Sequence, residues 1–146
     1  MLPQRLTMVT LGVRDLARSD TFYRKLGFRP ADFESEGVRF FDMNGIVLGL
    51  YGHDELAEDA TVDAAGQGFR GVALALNLES EQAVDAALAF AAECGAEIKK
   101  PAEKVFWGGY SGYFADPDGH LWEVAFNPHS PLDDNGRMTL PPPVAD

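Results

Sequence analysis

The stretch WGGYSGYFADPDGHLWEVAFNP, Trp107 to Pro128, holds the residues best suited to chemistry. Its strand-like piece, Leu-Trp-Glu-Val-Ala-Phe, carries a carboxylate, Glu123, in the middle. A carboxylate facing an apolar core is costly unless it is paired, hydrogen-bonded or bound to a metal. Strand alternation puts Leu121, Glu123 and Ala125 on one face and Trp122, Val124 and Phe126 on the other. The second set is larger and more apolar, so it should pack under helices and leave Glu123 on the opposite face. There Glu123 can accept hydrogen bonds from hydroxyls and water, bind a ligand's donor, or act as a general base. Tyr113 can hydrogen-bond it if the register brings the two together, and Tyr113 or Tyr110 would then be the acid. Trp107 and Tyr110 flank two glycines that let the backbone bend. That arrangement suits a lid clamping a flat ligand or, for Trp107, a packing role at a subunit seam.

The other reactive side chains offer less. His120 begins the last strand on the face opposite Glu123 and reads as structural. His53 lies beside Asp54 and Glu55 in a cluster that suits a solvated loop, and His129 opens the tail. The single cysteine, Cys94, excludes an internal disulfide and reads as a small packing residue near a helix end. No phosphate loop occurs. Ser111 lies between strands, where a nucleophile elbow cannot form.

The elements that must position these residues form two similar halves. Residues 6–13 are β-branched and apolar and read as a strand. A helix follows, with Asp15 as N-cap, Leu16, Phe22, Tyr23 and Leu26 on one face, and Gly27 as its stop. FRPADF, VRFFDM and IVLGLY are strand candidates, the last two joined by the hairpin signal Asn44-Gly45. The order then recurs. Residues 71–78 form a strand, and a helix follows with Ser80 as N-cap and Gly95 as its stop. AEIKKP, GGYSGYFA and HLWEVAF are strands, the last pair joined by the turn Asp116-Pro117-Asp118-Gly119. Each half is therefore strand, helix, three strands. We divide the single domain, residues 1–146, into module one (about 5–52), an acidic, partly helical connector (about 53–68), module two (about 69–128) and an extended Pro-rich tail (129–146).

This order, with LGVRDLARSDTFYRKLGF early and GYFADPDGHLWEVAFNP late, resembles the glyoxalase / bleomycin-resistance / extradiol-dioxygenase superfamily, also called vicinal oxygen chelate proteins. The late motif is similar to the subgroup called glyoxalase-like. The resemblance covers about residues 5 to 128. It implies an α+β fold in which two βαβββ modules form an open, cup-shaped mixed β-barrel with helices outside, and a homodimer in many members. It also implies a divalent metal held by a His on the first strand of each module and carboxylates late in each module. The corresponding positions are Met8, Gly71, about Gly49, and Glu123. A thioether and two glycines cannot replace two imidazoles and a carboxylate for a hard or borderline cation. No metal ligand set and no cofactor are therefore expected, with a divalent metal kept open as an alternative.

By the same parity Met8, Thr10, Gly12, Gly71, Ala73, Ala75, Asn77, Val47, Gly49 and Tyr51 face into the cup, with Arg39 or Phe41. Small residues there leave volume for a ligand. The candidate ligand-binding residues are Thr10, Phe41, Asn77, Trp107, Tyr110, Tyr113 and Glu123, and Glu123 is the catalytic candidate. Net charge −11 repels phosphate backbones and argues against nucleic acid. The first residues lack a signal peptide's apolar core and no stretch suits a bilayer, so a cytoplasmic protein without a membrane partner is expected. The expected function is binding of a small organic molecule, with a superfamily enzyme (lyase, dioxygenase or epimerase type) as the alternative. That enzyme would be metal-independent with Glu123 as base, or metal-dependent if the ligand positions are misplaced.

Overall fold

The computed structural model describes residues 3–32 and 36–142. The described residues form an α+β arrangement of ten elements: β1 (Met8–Val13), α1 (Leu16–Lys25), β2 (Val38–Asp42), β3 (Val47–Gly52), α2 (His53–Asp59), β4 (Ala73–Asn77), α3 (Glu81–Glu93), β5 (Glu97–Lys104), β6 (Tyr110–Ala115) and β7 (Leu121–Phe126). They form two sheets, ordered β1-β3-β2 and β4-β7-β6-β5. Each sheet lies in its own compact unit. The first unit holds residues 1–72 together with Asp116–His120, and the second holds the remainder.

Local chemistry explains the helices. The Asp15 carboxylate accepts from the Arg18 N–H and the Ser80 hydroxyl from the Ala83 N–H, each satisfying a donor that the first helical turn leaves open. Gly27 and Gly95 follow the C-caps at φ 93° and 101°. Asn44 and Gly45, at φ 64° and 105°, form a two-residue turn closed by the Met43 N–H to Ile46 oxygen bond.

In the first unit, β1 pairs parallel and β2 antiparallel with β3. Leu11, Val13, Leu48, Leu50 and Phe41 are buried together with Phe22 and Tyr23 of α1. Tyr23 is the centre of this core, stacked on Phe28 at 5.8 Å and 6.0 Å from Phe41. FRPADF does not form the expected full strand. Its described residues make one bridge, Pro30 to Phe41. Proline has no N–H to extend a ladder. Phe33 lies outside the described residues.

The turn Asp116–His120 belongs to this unit and is held by α1 and the end of β1. The buried Asp116 accepts from the Tyr23 hydroxyl (2.7 Å) and from the Asp118 and His120 N–H groups. Asp118 accepts from the Arg14 N–H (2.9 Å) and the Ser19 hydroxyl (3.0 Å), and pairs with Arg18 at 3.3 Å. His120 Nε2 donates to the Gly12 carbonyl at 2.8 Å, the structural role expected of it.

In the second unit, β4 pairs parallel and β6 antiparallel with β7, and β5 closes the edge against β6. Val84, Leu88 and Ala91 of α3 are buried over Phe114, Trp122 and Val124. Phe114 and Trp122 stack at 6.1 Å with rings 3° apart. Gly112 lies beneath Leu88, whose Cδ1 would stand 2.6 Å from a Cβ at that position. The tail is not simply extended: Leu132 bridges Met138 and Asp133 organises the turn between them. No helix among the described residues is long and apolar enough to cross a membrane.

Candidate functional site

Glu123 occupies the face of β7 that α3 does not cover. Its neighbours Trp122 and Val124 are buried, while Glu123 itself is half-buried. The register sets Ala75, Glu123, Tyr113 and Lys100 in one row across β4, β7, β6 and β5. Directly opposite residues on neighbouring strands lie close enough for side chains to interact. Burial, the Glu123 charge and the pull of the Glu123 carboxylate on the phenol proton raise the Tyr113 pKa above 10.0, while the Lys100 charge works against them. Lys100 also pairs with Glu103 at 3.1 Å. The adjoining row is Asn77, Ala125, Ser111 and Glu103. Ala73 and Ala75 are exposed, so the polar groups stand beside small side chains.

Several expected site residues lie elsewhere. Phe41 is 0 % exposed in the aromatic core of the first unit, and it is Phe40 that opposes Gly49 on the uncovered face. The two-residue turn fixes this parity, because it pairs Asp42 with Val47 and thus Phe40 with Gly49. Arg39 falls on the same side as Phe41, 3.8 Å from Asp20 of α1. Tyr110 turns toward α3, where its hydroxyl donates to Asp85 at 2.8 Å. That bond, burial, and the charges of Asp85 and Glu81 raise its pKa. Thr10 lies beside Gly49 in the first sheet. Trp107 lies in the β5–β6 turn with its indole directly over Gly109, where any Cβ would overlap it. Its neighbour Phe106 is fully exposed. Sequence reasoning missed Lys100. Its signal was present only in β5, where bulges between Ile98 and Glu103 decide which lysine faces Tyr113.

These sheets, with a parallel first strand and an antiparallel hairpin in each, have counterparts among known proteins. Residues 5–124 match the glyoxalase/bleomycin resistance protein/dioxygenase superfamily. The chain belongs to this superfamily. A glyoxalase-related enzyme from Fulvimarina pelagi is 36 % identical, with a TM-score of 0.84 over 94 % of this chain and 99 % of that one. A superfamily member from Nocardioides is 27 % identical, with a TM-score of 0.73 and coverage of 86 % and 85 %. A lactoylglutathione lyase from Agrobacterium tumefaciens shares the fold at 22 % identity, with a TM-score of 0.65 and coverage of 86 % and 95 %. No curated protein matches the chain.

The superfamily's metal positions can be tested against the register. Gly71 precedes β4, so the first-strand position of the second module is Ala73, which pairs two residues before Glu123 as Met8 pairs two before Gly49. The four positions then hold Met8, Gly49, Ala73 and Glu123. One carboxylate, one thioether, a methyl group and a hydrogen do not make a site for a divalent metal. Among the described residues no group of three or more His, Cys, Asp or Glu side chains is arranged to hold one.

Proposed function

We propose that the uncovered face of the second sheet binds a small organic molecule without a divalent metal, with Glu123 and Tyr113 as its polar centre. The observation that supports this most is the register that sets Glu123 opposite Tyr113. A carboxylate has about four acceptor positions, of which the facing phenol can take one. The rest can take N–H or O–H donors from a ligand. Ala73 and Ala75 leave room for its body, and Asn77 supplies a second polar group. A cationic or hydroxyl-bearing molecule fits this acceptor, and the net charge of −11 would draw a cation toward it. Trp107 and the exposed Phe106 give the β5–β6 turn an apolar surface suited to a flat partner.

The test is a thermal-shift screen of aromatic amines and amino alcohols on wild type and Glu123→Gln, with metal content measured on untagged protein. A stabilising compound should lose at least about tenfold in affinity in the variant, the size of one charge-assisted hydrogen bond. Stoichiometric metal that disappears in Glu123→Ala would overturn the reading.

A second reading is favoured by the register that sets the Tyr113 phenol, protonated at neutral pH as phenols are, opposite the Glu123 carboxylate. Glu123 would then be a general base and Tyr113 its acid partner in a metal-independent reaction. Full turnover of an identified substrate by Glu123→Gln would remove this reading.

A further inference from the structure

The first unit carries a cleft of about 780 Å³ that the site above does not use. It opens at the carboxyl ends of β1 and β3, between Arg14, Tyr51, His53, Glu55 and the loop at Gly66. Its volume suits a small-molecule site. Three charged side chains line it, Arg14 against Asp54 and Glu55. The backbone N–H of Arg14 is engaged by Asp118, but its guanidinium has no hydrogen-bond or ion-pair partner among the described residues. The Glu55 carboxylate likewise has no basic partner there, whereas its neighbour Asp54 pairs with His53 at 3.1 Å. Glu55 is folded against Gly52, and its carboxylate occupies the space that a side chain at Gly52 would fill. Arg14 and Glu55 thus border one cleft without pairing with each other. A ligand that answers both must carry both charges, apart from one another.

We propose that this cleft binds a peptide-sized zwitterion, its carboxylate end on Arg14 and its ammonium end on Glu55, with its body along the half-buried Tyr51. The pairing is fork-to-carboxylate at Arg14, the geometry a guanidinium favours. Two charged ends also set a direction for the bound chain.

The probe is triglycine, whose ends stand up to about 10 Å apart when extended. Binding to the full chain is followed by amide chemical shifts and calorimetry, beside N-acetyl-triglycine and triglycine amide. Each capped form, lacking one charge, should bind about five- to tenfold more weakly. Arg14→Gln should erase the preference for a free carboxylate and keep that for a free amine. Glu55→Gln should do the reverse. Glu123→Gln should leave both preferences intact, which separates this cleft from the site on the second sheet. Equal binding of the three peptides, no binding at about 10 mM, or loss of both preferences together in either variant would overturn the proposal.

Discussion

In the first sheet the residue between Thr10 and Phe40 is Gly49; in the second, the residue between Ala75 and Tyr113 is Glu123. The strands that carry these rows pair alike, parallel on one side and antiparallel on the other. Their contents are opposite. A Cβ at Gly49 would already stand 3.3 Å from the Thr10 hydroxyl, 3.5 Å from the Phe40 ring and 3.6 Å from the Met8 sulfur, so neighbouring side chains occupy the row. At Glu123 the small residue is the neighbour, Ala75, and the large one carries a hydroxyl. One backbone plan therefore supports an uncharged row in one module and a charged one in the other, and chemistry follows which strand received the small side chain.

Substitutions can break or sharpen this contrast. The largest effect is expected at Phe41. Phe41→Ala should cost about 3–5 kcal/mol in denaturant unfolding, as for a buried aromatic, whereas Phe40→Ala, on a half-buried ring, should cost about 1.5 kcal/mol or less. Equal losses would mean the parity of β2 is misassigned. Gly49→Glu, which copies the second row into the first, should cost about 1–3 kcal/mol by overpacking. Adding Phe40→Ala should recover part of that, a coupling that a double-mutant cycle reads directly. Glu123→Gln should change stability by no more than about 0.5 kcal/mol, because the amide keeps an acceptor for Tyr113 on a half-buried face. A larger loss would show that Glu123 serves the fold.

The smallest effect concerns pH. Tyr110 and Tyr113 have folded-state pKa values raised above 10.0, so the native state holds protons that the unfolded chain releases first. Stability should then be fully present below about pH 10 and fall as pH rises through the folded values. Tyrosinate absorbance should show that replacing either residue with Phe removes a late-ionising phenol. Unchanged high-pH titration in both variants would contradict the bond of Tyr110 to Asp85 and the placing of Tyr113 beside the Glu123 charge.

Local rules made much of this legible. Asp15 and Ser80 were readable as caps because their side chains act within three residues, and Asn44-Gly45 because only certain residues accept its dihedral angles. The face of Glu123 followed from the bulk of Trp122 and Val124. The misplacements came from features that alternation does not encode. Arg39-Phe40-Phe41 offers large side chains in succession, so composition did not choose the face; the two-residue turn did. Tyr110 follows the β5–β6 turn, where parity depends on loop geometry. Gly71 lies before its strand begins. Ligand identity was not legible at all, since a row of one carboxylate and one phenol accommodates many donors.

The chain's two tryptophans differ in a way that can be used optically. Trp122 is 3 % exposed and stacked on Phe114, whereas the half-buried Trp107 lies over a glycine in the β5–β6 turn. Quenching by a neutral solute such as acrylamide should therefore reach Trp107 first and spare Trp122. The protein carries its own emission probe at the edge of the sheet that bears Glu123. A Trp107→Phe variant would isolate the buried signal and leave it as a built-in reference for intact packing.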